Sequence, residues 1–188
     1  MHQDWGFCMR IISGLARRTP LVAPKGSSTR PTADRVKENL FNILAPHVAG
    51  ARFLDLFCGS GAIGLEALSR GAEEAVFVDS AKDAIAALKV NLERTRLTTS
   101  AHAVHMCALA AVPMLGAEGK AFDIVFLDPP YGLGLVDKAL EVLVSSGIVS
   151  PGGIVVAECD TKEDIQAAKP LVLQDTRAYG STRILFYS

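Results

Sequence analysis

Cysteine is scarce: the 188 residues hold four, at positions 8, 58, 107 and 159, and none forms a Cys-x-x-Cys pair. That spacing excludes a zinc knuckle and a thioredoxin-like motif, and fits small buried side chains in a reducing compartment. Long apolar runs are also missing. The longest, Cys107 to Ala117, has 11 residues and contains Pro113, so it is too short to cross a bilayer. Met1 to Cys8 has neither a basic start nor an apolar stretch. No signal peptide is therefore expected, Met9 offers an alternative start, and a cytoplasmic location follows. Of the four histidines, His102 and His105 are three apart. On a strand they point to opposite faces, so a shared metal is not expected.

With 49% hydrophobic and 21% charged residues, the balance is that of a globular chain. The length suits one domain with a small extension, burying roughly two-thirds of its unfolded surface. The net charge of −1 hides an asymmetry. Residues 9–38 carry seven basic groups (Arg10, Arg17, Arg18, Lys25, Arg30, Arg35 and Lys37) against Asp34 and Glu38. Residues 39–188 carry 12 basic and 17 acidic groups. A basic arm on an acidic body points to a polyanion contact or to a solvated basic turn.

Beyond the arm, strands and helices alternate. Strands are expected at Phe53–Phe57, Ala75–Val78, Ala103–Met106, Phe122–Leu127 and Ile154–Ala157. Helices are expected at Ala62–Arg70, Lys82–Arg94 and Leu135–Val144, with a turn at Ser150–Gly153. Strict alternation predicts an α/β fold, a doubly wound and mostly parallel sheet covered on both faces. Leu171–Thr176 and Arg183–Tyr187 have no room for a helix between them, so they should pair antiparallel at one sheet edge. In the arm, Arg10–Leu15 and Pro20–Val22 read as short strands and Lys25–Ser28 as a loop. Ala33–Leu44 reads as a helix, with Thr32 placed to cap it.

Asp55-Leu56-Phe57-Cys58-Gly59-Ser60-Gly61-Ala62-Ile63-Gly64 is a G-x-G-x-x-G loop between a strand and a helix. Alone, that pattern also fits a dinucleotide site. In such a site the helix start faces a pyrophosphate, and Asp55 would add negative charge beside it. A cofactor with a cationic end suits Asp55 better, and S-adenosylmethionine carries a sulfonium and an ammonium. Asp79, 24 residues after Asp55, ends the next strand and can accept the ribose hydroxyls. A dinucleotide site, and a pair of mere turn residues, remain as alternatives.

Asp128-Pro129-Pro130-Tyr131 follows the apolar strand Phe122–Leu127, at a strand end where open α/β sheets bind ligands. An exocyclic amine on a base is a poor nucleophile, because its lone pair is delocalised into the ring. A carboxylate (Asp128) and a backbone carbonyl (Pro129) that both accept its N–H bonds pull the nitrogen towards a tetrahedral shape. Pro130 stiffens the loop. Tyr131 offers a ring for stacking, worth about 1–3 kcal/mol in other base–aromatic contacts. The plainer alternative is a proline-rich turn with a rim tyrosine.

Together the two motifs resemble the class I, Rossmann-like S-adenosylmethionine-dependent methyltransferases that modify planar nitrogen. That resemblance covers about residues 50 to 188 and implies a seven-stranded sheet with an antiparallel last strand. Met9-Arg10-Ile11-Ile12-Ser13-Gly14, Arg30-Pro31-Thr32-Ala33-Asp34-Arg35-Val36, Gly61–Gly71 and Tyr179-Gly180-Ser181-Thr182 narrow it. They look like the RsmD-type 16S rRNA guanine-N2 methyltransferases, and the resemblance then spans almost the whole chain from Met9. It implies methyl transfer to the exocyclic N2 of one guanosine in small-subunit rRNA, in a partly assembled subunit, by a monomer using no metal and no membrane. It divides the chain into extra residues 1–8, a basic extension of hairpin and helix at 9–49, and a methyltransferase domain at 50–188. Carried over, Asp55, Gly59 and Gly61 hold the methionine end and Asp79 the ribose. Asp128, Pro129 and Tyr131 hold the target. Arg10, Arg17, Arg18, Lys25, Arg30 and Arg35 hold phosphates, although Arg30, Thr32 and Arg35 have the methionine carboxylate or a helix cap as alternatives. The chain departs from the family at Met106-Cys107-Ala108, where Asn or Asp is usual, so adenine would be met by the backbone of Cys107 and Ala108. It departs again at Asp79, where Glu is common. A DNA adenine-N6 or cytosine-N4 methyltransferase is the competing enzyme, but no target-recognition insertion follows Tyr131. A non-catalytic binder of the cofactor is the remaining alternative, disfavoured by the intact tetrad.

Overall fold

Apolar runs bounded by turns become strands here, and amphipathic runs become the helices that cover them. The computed structural model describes residues 9–24 and 33–188. The elements are α1 (Ala33–Val48), β1 (Arg52–Leu56), α2 (Ala62–Ser69), β2 (Glu74–Asp79), α3 (Lys82–Thr95) and β3 (Ala101–His105). Then come α4 (Ala108–Ala117), β4 (Phe122–Leu127), α5 (Leu135–Ser146), β5 (Val149–Asp160), β6 (Leu173–Tyr179) and β7 (Thr182–Tyr187). One seven-stranded sheet has the order β3-β2-β1-β4-β5-β7-β6. Its strands are parallel except β7, which runs against both neighbours, β5 and β6. This is the doubly wound, Rossmann-like sheet with an antiparallel last strand that the sequence predicts.

Both faces of the sheet are covered. Phe53, Phe77, Phe126 and Val156 pack with Leu40, Leu65 and Leu88 of α1, α2 and α3. Leu54, Val76, Val125 and Val155 pack on the other face with Ala111, Leu115 and Leu140 of α4 and α5. Each such side chain contributes about 1.5–3 kcal/mol by leaving water. Burial on both faces explains why β4 reads as a nearly unbroken apolar run.

Four expectations need correction. Helix α4 replaces an apolar run in which no helix was expected. Pro113 disguises it, since a helix interior normally excludes proline, yet Ala108, Ala111, Val112 and Leu115 are buried at helical spacing. Strand β5 starts earlier, at Val149, and the turn Ser150–Gly153 bulges from it where the pairing jumps from Phe122↔Val149 to Ile124↔Ile154. Helix α1 runs on past Leu44 to Val48, with Pro46 in its last turn. Arg10–Leu15 and Pro20–Val22 form no pair of strands: among the described residues the arm has one antiparallel bridge, between Arg10 and Pro20. The expected loop Lys25–Ser28 and the cap Thr32 lie outside the described residues, as do Met1–Cys8.

Ile11, Arg18 and Leu21 donate across the arm to Thr19, Ile11 and Met9 carbonyls, but the ladder goes no further because the body claims the donors of Ile12, Ser13, Leu15 and Ala16. Glu66, fully buried in α2, accepts from the amides of Ile12 (2.7 Å) and Ser13 (3.0 Å). It also pairs with Arg70 at 2.7 Å and with buried Lys37 at 3.7 Å. Ser69 takes the amides of Leu15 and Ala16: its carbonyl accepts from Leu15 at 2.7 Å and its hydroxyl from Ala16 at 2.9 Å. Gly14 must be glycine, since a Cβ there would sit 1.7 Å from the Ser69 carbonyl oxygen. The arm thus lies along α2, and Ile11, Ala16 and Leu21 join the same core.

Glu66→Ala would take the carboxylate from buried Lys37, part-buried Arg70 and two amides. A loss of about 3–5 kcal/mol is expected, measured by urea unfolding. Glu66→Gln should lose less, because its carbonyl still accepts.

Candidate active site

Strand order reverses between β1 and β4: β1 is followed in space by β2 on one side, and β4 by β5 on the other. Loops leaving their C-terminal ends therefore diverge and open a crevice. The loop after β1 carries the glycines and the loop after β4 carries Asp128–Tyr131, so the two motifs face one crevice.

The glycine loop starts with strain. Phe57 has φ 60°, a left-handed conformation that non-glycine residues rarely adopt. Gly59 and Gly61 follow at 53° and 76°. Their roles differ. A Cβ on Gly61 would lie 2.4 Å from Leu88 Cδ1, and one on Gly64 would lie 2.4 Å from Phe77 Cε1. Those two glycines let α2 settle on β2 and α3. Only at Gly59 does a Cβ meet open space, so the room for a ligand lies there.

Asp55 is 2% exposed, and its Oδ2 accepts from the Gly64 amide at 2.9 Å. Burial pushes its carboxyl up to about 8, opposed by the Gly64 bond and helped by the charge of Asp79. It stands beneath the glycine loop rather than open to the crevice. Asp79 organises the loop from β2: one oxygen accepts from Gly59 and the other from Ala81, each at 2.8 Å. A carboxylate oxygen has two lone pairs, so ribose hydroxyls still find acceptors there. Cys107 is exposed and precedes α4, with its carbonyl accepting from Ala110 and Ala111. Ala108 is buried. Both stand near Asp79, whose carbonyl accepts from Met106 at 3.1 Å.

Across the crevice, Asp128 and Pro130 are exposed, Pro129 is buried and Tyr131 is half-buried. The Tyr131 hydroxyl donates to Glu158 Oε1 at 2.9 Å and lies 3.5 Å from Thr182 Oγ1. Burial first, and then the carboxylates of Glu158 and Asp128, push that hydroxyl up, against the Thr182 hydrogen bond, so it stays a neutral donor. The next amide, Gly132, donates to the carboxylate of Glu163, whose carbonyl takes the Arg183 guanidinium. The end of the sheet thus holds the tyrosine in place.

Sequence reasoning missed Glu158 and Asn91. A signal existed for Glu158: it directly follows the apolar run Ile154–Ala157, as Asp128 follows Phe122–Leu127. Asn91 gave none, being one polar residue in an amphipathic helix. It is fully buried and joins the arm to the glycine loop. Its amide nitrogen donates to Val22 and Ser60 carbonyls at 2.9 Å, and its oxygen accepts from Val22 at 2.8 Å.

The basic residues divide. Arg10 lies 3.3 Å from Asp34, and Arg35 is exposed in the first turn of α1. Arg17 and Arg18 are exposed at the arm's tip, beside Ser69. Ser69 ends α2, about 12 Å of helix from the glycine loop, so the structure does not bring these two arginines to the crevice. Lys25 and Arg30 lie outside the described residues. His105 Nε2 lies 3.0 Å from the Ser80 carbonyl and His102 lies 3.8 Å from Glu74. Among the described residues no three ligating side chains form a cluster for a metal.

Asp55 generates a pH prediction. Its folded value of about 8 exceeds its ordinary 3.8, so the folded state holds the extra proton between them. Its contribution to stability is therefore present below pH 4 and lost as pH rises through about 8. Asp55→Asn keeps an acceptor for Gly64 and removes the titration. Its melting temperature should fall less between pH 5 and 8.5 than the parent's, by calorimetry.

The family model described as "Conserved hypothetical protein 95" matches residues 9–188. YlbH of Bacillus subtilis (strain 168), provisionally named an rRNA methyltransferase, is 38% identical over 180 residues, 95% of this chain and 98% of YlbH. "Ribosomal RNA small subunit methyltransferase D" of Escherichia coli (strain K12) is 35% identical over 157 residues, 84% of this chain and 77% of that protein. Among solved structures, Escherichia coli yhhF, provisionally named a methyltransferase, matches with a TM-score of 0.84 at 32% identity, over 96% of this chain and 97% of that one. The chain therefore belongs to the conserved hypothetical protein 95 family, the RsmD-type family that its motifs resemble.

Proposed function

We propose that this chain transfers a methyl group from S-adenosylmethionine to the exocyclic N2 of a guanosine in small-subunit (16S) rRNA. The observation that carries the reading is the Asp128–Tyr131 loop set across one crevice from the glycine loop. The relatives' names, which specify small-subunit rRNA, support the substrate class.

The residues present fit the cofactor. Gly59 faces open space and Asp79 offers acceptors at the end of β2. Asp79 and Asp128 make the crevice acidic, which suits a cation and opposes a pyrophosphate. When bound, the cofactor supplies an electrophilic methyl carbon on a sulfonium. Asp128 and the Pro129 carbonyl accept the two N–H bonds of the guanine amine and turn its lone pair towards that carbon. As nitrogen gains the methyl it gains positive charge, which the Asp128 carboxylate stabilises, and its proton then leaves to Asp128 or water. Tyr131, pinned through its hydroxyl, holds its ring flat against the base. Holding both reactants in line supplies the positioning part of the rate.

A paired guanine hides this amine, so the target is unpaired or flipped out, as in a partly assembled subunit. Arg10, Lys25, Arg30 and Arg35 position phosphates without reading sequence. Arg17 and Arg18, at the far end of α2, meet rRNA away from the target nucleotide. No described helix is long and apolar enough to cross a membrane. A monomer acting on ribosomal subunits in the cytoplasm completes the reading.

Asp128→Ala removes one of two amine acceptors. Single-turnover methylation of undermethylated small subunits should slow about 10²–10³-fold, or ~3–4 kcal/mol, with cofactor affinity unchanged. A fully active variant would refute the amine clamp. Asp79→Ala should weaken cofactor binding by about 1–3 kcal/mol in calorimetry. Replacing Arg17 and Arg18 with Ala should flatten the salt dependence of subunit binding by roughly 0.7–0.9 log units per lost phosphate contact. Indifference there would leave the arm's tip as plain solvated surface.

A further inference from the structure

The clamp on an amine does not by itself choose guanine, because adenine and cytosine also carry an exocyclic amine. They differ in the neighbouring ring atom. Beside the guanine amine stands N1–H, a donor. Beside the amines of adenine and cytosine stands an unprotonated ring nitrogen, an acceptor. A pocket that selects guanine needs an acceptor-only group next to the clamp.

Glu158 occupies that place. The pairing Leu127↔Ala157 carries Asp128 and Glu158 side by side at the next step along β4 and β5. Side chains alternate, and Phe126 and Val156 share the α1–α3 face. Asp128 and Glu158 therefore belong to that same face. The Glu158 carboxylate reaches the hydroxyl end of Tyr131, the ring on which the base is to lie. A carboxylate binding Tyr131 through one lone pair keeps further capacity to accept.

We infer that Glu158 is a specificity-determining residue, accepting N1–H of the target guanine while Asp128 and Pro129 hold its amine, and repelling the ring nitrogen of adenine or cytosine. The inference rests on the proposed methyl transfer to guanine.

The test compares two small subunits, reconstituted with 16S rRNA that carries guanosine or 2-aminopurine at the methylated position. 2-Aminopurine keeps the amine but has no N1–H. In single-turnover methylation, the wild-type chain should prefer guanosine by about 10²-fold or more, since the analogue leaves a polar group unmatched. Glu158→Gln still accepts from Tyr131 but turns an amide N–H towards N1, and should narrow the preference at least about tenfold. Tyr131→Phe removes the hydroxyl and keeps the carboxylate. Whatever it does to the rate, it should keep the wild-type preference. A Glu158→Gln preference equal to wild type, equal use of both substrates by wild type, or a Tyr131→Phe preference narrowed as much as that of Glu158→Gln would each overturn the inference. Wild-type protein that methylates neither subunit would overturn the proposed function itself.

Discussion

A sheet buried on both faces leaves polar side chains few places to go. Within the central strands β1, β2 and β4, nearly every position is buried, and a charge there would lose its water without a partner. The strand ends escape this constraint. Asp55, Asp79, Asp128 and Glu158 all stand at or just past the C-terminal ends of parallel strands, where loops supply backbone amides and hydroxyls as partners. The reversal of strand order between β1 and β4 then spreads those loops apart. The acidic crevice is thus a consequence of how this sheet is buried and wound.

These carboxylates do different work because their surroundings differ. Asp55 is sealed under the glycine loop and stays protonated up to about 8. Asp79 uses both oxygens to shape the same loop while keeping capacity for a ligand. Asp128 is exposed at the crevice, and Glu158 is tied to Tyr131. Under the proposed function, the carboxylates of the crevice suit a cationic cofactor and the basic residues of the arm an anionic polymer.

The arm is joined to the catalytic body by polar contacts as well as by its core residues. Glu66 and Ser69 hold it along α2, and Asn91 binds Val22 and Ser60 together. Its path therefore leads from Met9, whose sulfur lies 4.0 Å from the Ser60 hydroxyl, to the far end of α2 and back. One helix thus presents the glycine loop at one end and two arginines at the other.

Periodicity, glycine spacing and the Asp128–Tyr131 tetrad were legible in one dimension. They depend on residues within a turn or a strand of each other, and such local patterns determine strand, helix and loop. The amino-acid sequence alone determined the alternating α/β order, the antiparallel tail, and the identity of the two motif loops. Helix α4 escaped because Pro113 masks a spacing that only burial makes plain. The arm's strands failed because Glu66 and Ser69, more than fifty residues away, bind the amides a ladder would have used. Distinct duties for Gly59, Gly61 and Gly64, the sealing of Asp55, and the meeting of Tyr131 with Glu158 were decided only by the tertiary structure. Each depends on which side chains from remote segments share a small volume, and a linear sequence does not contain that distance.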